Sequence, residues 1–179
     1  MGRFCVNALR SELIIEFLRR SYCAADGLWF VICEQELGYE EAMRLDELVW
    51  KVMPKIQARK ARELLGLDGD PLSDLASALA VKFAAEDYGY VAKPSPPGTL
   101  RLVVDHCPWK AAIEKSGREA VLPDICSRIC HPEMRTWGEE FSMDISFEME
   151  ADGCHGDAPC SFLFRHQGSV TAERGPAPG

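Results

Sequence analysis

Apolar residues recur at helical spacing through the first part of the chain. In residues 8–23, one apolar face is formed by Leu9, Leu13 and Phe17, with Ile14 and Leu18 beside it. In residues 27–38, a second broad apolar face is formed by Trp29, Phe30, Cys33 and Leu37. Spacings of three and four residues are typical of amphipathic helices. These segments therefore predict helices, and Gly38 is predicted to end the second one.

Proline, glycine and aspartate mark the next helix boundaries. Residues 39–66 predict a long helix that Pro54 kinks or splits, because proline lacks the amide hydrogen that an interior helical position donates. Gly66 is predicted to end this helix. The following helix is predicted to begin with Asp70 as its N-cap and Pro71 at its first position.

The period of the pattern changes near residue 88. Short β-branched and aromatic segments on either side of PSPPG predict a hairpin with strands near 88–92 and 99–106. Helical segments follow at 107–117 and 123–141, and Pro132 is predicted to break the second one. The alternation in MDISFEME and the run CSFLFRH predict two more strands.

This order of elements predicts the α+β class. We expect a helical N-terminal half packed on an antiparallel sheet of about four strands, with helices inserted between two strand pairs. We also expect a single domain over residues 1–170, with a cysteine-rich metal site in 107–160. Residues 171–179 show no periodicity and predict a disordered tail.

Composition and charge narrow the class of function. The chain has 179 residues and a formal net charge of −8, and it contains no basic run, so we do not expect it to bind nucleic acid. No apolar run is long enough to span a bilayer, and MGRFCVNALR lacks the apolar core of a signal peptide. We therefore expect a cytoplasmic protein with no membrane partner.

The cysteines are numerous and unevenly placed. Eight are present, and five of them fall between residues 107 and 160, in the same half of the chain as all four histidines. Three histidines are directly adjacent to a cysteine, at 106–107, 130–131 and 154–155. Because a reducing compartment disfavours disulfides, clustered cysteines of this kind favour metal binding or catalysis. The early cysteines Cys23 and Cys33 lie at apolar helical positions and are predicted to pack.

The five later cysteines are Cys107, Cys126, Cys130, Cys154 and Cys160. Cys126 and Cys130 are four residues apart, which places both on one face of a helix, either as metal ligands or as small core residues. Cys154 and Cys160 enclose a Gly- and Pro-containing loop. Zinc takes four ligands in a structural site and three in a catalytic one, and iron–sulfur clusters also take thiolates.

Five thiols exceed the four that one zinc ion or one cluster needs. At least one thiol is therefore spare or a nearby nucleophile. Glu148, Glu150 and His131 are possible substitute ligands.

Candidate catalytic residues are few. Cys130, His131 and Glu133 supply a thiol, a base and a carboxylate, but adjacent helical residues point in different directions, so His131 is badly placed to activate Cys130. Beside an open metal position, the local general bases would be His131, Glu133 and His155. No phosphate loop, nucleophile elbow or HExxH helix is present.

The end of the chain resembles a known family. Cys130, the strand ending FEME and the segment DGCHGDAPCSFLFR are similar to the end of the 4-vinyl reductase domain and of L-2-amino-thiazoline-4-carboxylic acid hydrolase-like proteins. The resemblance implies a small-molecule-binding α+β module, often dimeric, that holds zinc through cysteines and a glutamate. It implies as ligands Cys126 or Cys130, Glu148 or Glu150, Cys154 and Cys160.

The sequence thus predicts a dimeric cytosolic protein with one cysteine-ligated metal, zinc as first choice or an iron–sulfur cluster. A small organic ligand would occupy an apolar pocket lined by the aromatic residues Trp29, Phe30, Phe83, Trp109 or Trp137. The alternative is an enzyme, either a metal-dependent hydrolase of a small thiazoline-like ring or an iron–sulfur redox enzyme.

Overall fold

The computed structural model describes residues 10–155 and 158–167. Contacts along the chain divide it into two compact units, Met1–Asp46 and Glu47–Gly179. The first unit is helical, and the second contains both helices and the sheet. The expectation of one domain over 1–170 stays a prediction, and the predicted tail at 171–179 lies outside the described residues.

The first four helices are α1 (Ser11–Leu37), α2 (Tyr39–Trp50), α3 (Met53–Leu65) and α4 (Pro71–Glu86). The two predicted segments in residues 8–38 join through Gly27 into one helix, which ends at Gly38 with a φ of 86°. The predicted split of the second helix is confirmed, since α2 and α3 are separated by two residues and Pro54 lies in the first turn of α3.

The predicted helix caps are also confirmed. Gly66 follows α3 in the left-handed conformation, with a φ of 63°, which glycine adopts without steric cost. The Asp70 side chain accepts a hydrogen bond from the Ser73 amide at 2.9 Å, and Pro71 is the first residue of α4. These local signals therefore fix where the second unit's first helices begin and end.

The sheet has four antiparallel strands in the order β1-β2-β4-β3. They are β1 (Gly89–Lys93), β2 (Thr99–His106), β3 (Ile145–Ala151) and β4 (Cys160–His166). The connection from β2 to β3 carries α5 (Pro108–Lys115), a short 3₁₀ turn (Glu119–Val121), α6 (Leu122–Ile125), a π-helical turn (Cys126–Cys130) and α7 (His131–Phe141). The predicted α+β class is confirmed, including the helices between the two strand pairs.

The prediction that Pro132 breaks its helix is wrong. The helical path runs without interruption from Leu122 to Phe141, and Pro132 lies in the first turn of α7. In the π turn before it, the His131 amide bonds to the carbonyl of Cys126, five residues earlier. This wider turn changes the hydrogen-bond register just where proline has no amide hydrogen to give.

The core of the second unit lies between one face of the sheet and helices α4 and α7. Phe83 of α4, Trp137 of α7 and Phe164 of β4 are at most 1% exposed. Helix α7 lies close to the sheet at Gly138, where an added Cβ would be 3.0 Å from Ile145 Cγ2 and 3.4 Å from Phe164 Cδ1. Among the described residues, no helix is long and apolar enough to cross a membrane.

Replacing Gly138 with valine should lower the free energy of unfolding by about 1–3 kcal/mol, because the new side chain overpacks the contact with the sheet. The matched control is Gly27→Val, since a Cβ at Gly27 meets no atom within 4 Å. The control should change stability by less than about 0.5 kcal/mol. Urea unfolding followed by circular dichroism measures both, and equal effects would contradict the close packing at Gly138.

Candidate metal centre

The five later cysteines all line one cavity in the second unit. Cys107 precedes α5, Cys126 and Cys130 begin and end the π turn, Cys154 follows β3, and Cys160 begins β4. All five are free thiols. The fold therefore brings together residues from four separate places in the sequence, as the sequence predicted it must for them to act together. This space is called the cysteine cavity below.

The tightest group of metal-binding atoms belongs to Cys126, Asp152 and Cys154. The two sulfurs and one carboxylate oxygen all lie within 4.8 Å of one another. Asp152 was missed by the sequence reasoning, although it stands in the same ADGCHGDAPC segment as Cys154. An Asp-Gly pair directly after a strand and just before a cysteine was the signal that could have identified it.

A short turn at Asp152–Cys154, called the 152–154 turn, holds two of these three groups. The Cys154 amide donates to the Asp152 carboxylate at 2.7 Å. The Gly153 amide donates to Cys160 Sγ at 3.2 Å. An added Cβ at Gly153 would lie 2.7 Å from the Ala158 carbonyl oxygen and 3.2 Å from Cys160 Sγ, so this position admits only glycine without movement of its neighbours.

Lys110, a residue of α5, forms a hydrogen bond with the 152–154 turn. Its ammonium donates to the Gly153 carbonyl at 2.7 Å, and its positive charge lowers the pKa of the Cys154 and Cys160 thiols, against larger effects that raise both. The Lys110 amide in turn donates to Cys107 Sγ at 3.4 Å. Lys110 therefore links Cys107 to the turn that carries Cys154.

Cys107 serves as the N-cap of α5. Its sulfur accepts the first-turn amide in the way that a serine or aspartate oxygen usually does. Burial raises the pKa of the Cys107 thiol to about 11, against smaller lowering by hydrogen bonds from α5 amides. Of the five cysteines, Cys107 thus has a local structural role, which accounts for one thiol beyond the four that a single ion needs.

The remaining four thiols are held in the neutral form. The pKa of Cys126 is raised, chiefly by its hydrogen bond with Cys130, and that of Cys154 is raised by its hydrogen bond with Cys126 and by burial. The hydrogen bond with Cys126 lowers the pKa of Cys130, but burial and the nearby charges, that of Glu133 first among them, together outweigh it and raise the pKa. Burial also raises the pKa of Cys160. Neutral thiols are poor nucleophiles, so this arrangement does not activate a cysteine for covalent catalysis.

A buried ionic cluster contributes one residue, Glu133, to the cavity wall. Lys82 Nζ lies 2.8 Å from Glu86 and 2.9 Å from Glu133, and all three side chains are almost fully buried. Burial alone would lower the pKa of Lys82, but the two carboxylates outweigh it and raise the pKa. Counting these three groups alone, one ammonium faces two carboxylates, and Glu133 reaches the cavity lining.

The predicted catalytic pair is not arranged for catalysis. Glu133 lies at the cavity but is paired with Lys82. The His131 ring packs edge-on against Phe147, with centroids 5.2 Å apart, and His131 is not among the residues lining the cavity. The side chain of His155 lies outside the described part of the structure. Among the described residues, the carboxylates of Asp152 and Glu133 lie beside the thiols, and Glu133 is paired with Lys82.

Glu148, predicted as a ligand, lies on the opposite face of the sheet. Its carboxylate accepts a hydrogen bond from Arg165, and Glu150 bonds to Arg101 and Ser161 on the same face. The neighbouring residue Met149 faces the cavity instead, with its sulfur 3.6 Å from Cys126 Sγ. Alternation along β3 thus separates the glutamates from the cysteines, and Asp152 is the carboxylate beside them.

Of the five aromatic residues predicted to line a ligand pocket, Phe83 lines this cavity and the other four do not. Trp29 and Phe30 belong to the other unit, where Trp29 is 60% exposed and Phe30 packs edge-on against Tyr39. Trp109 donates from Nε1 to Glu86 at 3.1 Å. Trp137 is a core residue. The sequence pattern identified large apolar residues but could not assign them to one surface.

The cavity is small. The space open to the centres of water molecules is about 40 Å³, against the roughly 10–15 Å³ that one water needs on the same measure. This space suits a single ion with one or two waters. The cysteine cavity as it stands therefore has the chemistry and the size of an ion site.

Comparison with known families identifies the family to which the chain belongs. A family of unknown function (DUF6125) matches residues 8–123, and the chain therefore belongs to that family. The matched segment includes Cys107 and ends before Cys126. No curated protein and no solved structure matches the chain significantly, and the resemblance to 4-vinyl reductase and hydrolase-like proteins stays a prediction.

The role of Cys107 predicts a difference in alkaline stability between the metal-free protein and its Cys107→Ser variant. Below pH 9.0 the thiol is neutral in both the folded and unfolded states. Between pH 9.0 and about 11 the unfolded thiol loses its proton while the folded thiol keeps it, so stability falls as pH rises. Serine can still cap α5 but does not titrate.

Wild type should therefore lose up to about 2–3 kcal/mol more than Cys107→Ser across this range. Urea unfolding under reducing conditions at several pH values measures the difference. An equal loss in the two proteins would show that burial does not raise the Cys107 pKa.

Proposed function

We propose that this member of the DUF6125 family is a metal-binding protein whose cysteine cavity holds one ion, with zinc as the first choice. The observation that carries this proposal is the convergence of Cys126 Sγ, the Asp152 carboxylate and Cys154 Sγ within 4.8 Å. Thiolates and a carboxylate are ligands that zinc accepts. The residues come from two elements, so the ion would join the π turn to the 152–154 turn.

The spacing supports a single ion. Two sulfurs bound at about 2.3 Å to one tetrahedral zinc are about 3.8 Å apart. Ligand atoms within 4.8 Å of one another can reach that separation by small side-chain rotations. An iron–sulfur cluster places several iron and sulfide atoms between its thiolates, whereas the ligand atoms here lie within 4.8 Å of one another.

Cys130 is the best candidate for a fourth ligand. Its thiol is hydrogen-bonded to Cys126, and both line the cavity. Cys160 is also close, but its sulfur accepts the Gly153 amide and so shapes the 152–154 turn. Cys107 caps α5. The five thiols thereby divide into three proposed ligands and two that position them.

The charges around the cavity also favour a cation. The cluster of Lys82, Glu86 and Glu133 contains more carboxylates than ammonium groups, and Glu133 raises the pKa of Cys130. A divalent ion would displace protons from the thiols, because metal binding requires the thiolate. Its charge would then offset both the thiolates and the nearby carboxylate.

The ion's proposed role is structural. A closed site ties separate elements together and contributes directly to folding free energy. A hydrolase would need an open metal position and a free base, but Glu133 is paired with Lys82 and Asp152 is itself a proposed ligand.

Metal content should depend on the proposed ligands. Protein purified without oxygen should contain about one zinc per chain, as expected for a closed site. Cys126→Ser and Cys154→Ser should lose most of the metal, and Asp152→Asn should weaken binding by roughly tenfold or more. Elemental analysis after dialysis against a chelator measures these contents.

Cys107→Ser is the matched control, because it removes a thiol from the same cavity without removing a proposed ligand. It should retain about one zinc per chain. Equal loss in all four variants would indicate general destabilisation and contradict the ligand assignment. A brown protein with iron and acid-labile sulfide, or one without metal, would overturn the proposal of a zinc site.

A further inference from the structure

One exposed face of α1, in the first unit, carries a regular seam of apolar and small residues. Its members are separated alternately by four and three residues, and they are Ile14, Leu18, Ser21, Ala25, Leu28 and Ile32. All six are exposed, with Leu18 at 58% and Leu28 at 61%. This alternation is the a/d pattern by which two helices pack in a coiled coil. The six residues are called the α1 seam.

The order of side-chain types along the α1 seam is nearly the same from either end of the helix. From either end the order is Ile, Leu, a small residue, a small residue, Leu and Ile, and its centre falls at Cys23. If two copies of α1 lie antiparallel about a two-fold axis at this centre, Ile14 faces Ile32 of the second copy and Leu18 faces Leu28. The small residues Ser21 and Ala25 then face one another and let the helices approach closely.

The charges of α1 are complementary in the same orientation. Residues 10–22 contain three arginines and two glutamates, a net charge of +1, whereas residues 24–37 contain three acidic residues and no basic one, a net charge of −3. An antiparallel pair places each positive half beside a negative half. It also places each helix C-terminus, which lacks a basic residue in its last turn, beside the positive end of the partner's dipole. A parallel pair would place like charges together.

The available area is sufficient for a dimer. A helix of 27 residues is about 40 Å long, and half of its circumference is about 16 Å wide. One face therefore offers roughly 600 Å² per copy, or roughly 1,200 Å² in total, which is the lower end for specific interfaces. Phe17 and Trp29 flank the seam with 70% and 60% exposure and would add to this area.

We propose that the α1 seam is an antiparallel homodimer interface, and that a second copy of this chain is its partner. The inference does not depend on the metal. It rests on the spacing, the two-fold arrangement of side-chain sizes, the charge distribution and the area of one described helix.

Two single variants test the pairing. Leu18→Glu and Leu28→Lys each place a charge opposite a leucine, and each should weaken dimerisation by more than about tenfold. Sedimentation equilibrium of the full chain with reducing agent, at roughly 1 to 100 µM, should show a wild-type dimer and two largely monomeric variants. Leu64→Glu is the control, because Leu64 is 71% exposed on α3 and lies outside the seam.

Mixing the two variants gives the decisive result. In an antiparallel pair, Glu at position 18 of one chain faces Lys at position 28 of the other, and the second contact stays leucine to leucine. The mixture should therefore recover the dimer, which unfolded variants could not do. A monomeric wild type, or a wild-type dimer that the mixture fails to restore, would overturn the proposal.

Discussion

The contact between the 152–154 turn and the π turn decides whether the cysteines of this protein can act together. Cys126 and Cys154 are 28 positions apart in the sequence, and each is fixed by its own element. Gly153 permits the approach because a side chain there would collide with the Ala158 carbonyl and Cys160. Lys110 secures the turn from the other side. If this contact opened, the donor atoms would separate and no common ligand could bridge them.

The charges at this contact support the proposed cation. Buried thiols stay neutral because the interior disfavours their charged form. Neighbouring thiols add to this effect, since Cys130 raises the pKa of Cys126 and Cys126 raises the pKa of Cys154. The buried pair Glu86 and Glu133 shares a single ammonium, that of Lys82. Lys110 and Asp152 also lie at the cavity, so that three carboxylates face two ammonium groups among these described residues. This surplus of negative charge favours a positive ion over a neutral molecule. Packing and charge therefore support the same interpretation of the cavity.

Periodicity and capping signals were enough to predict most helices and all four strands, because these depend on local spacing. The clustering of cysteines in residues 107–160 predicted that the later cysteines would meet. The identity of the carboxylate ligand could not be predicted from the cysteine positions alone. Glu148 alternates with Phe147 and Met149, so it had to face away from a site on the core side of the sheet. Asp152 lies beyond the strand end, where only the conformation of the turn brings it to the cysteines. The aromatic residues could not be assigned, since burial depends on which helix faces meet.

The most direct test of a single thiolate-ligated ion is the X-ray absorption spectrum at the zinc edge of the metal-loaded protein. The account predicts sulfur ligands at about 2.3 Å together with a lighter ligand at about 2.0–2.2 Å, with no second metal nearby. A first shell of oxygen and nitrogen alone would place the ion outside the cysteine cavity and contradict the account.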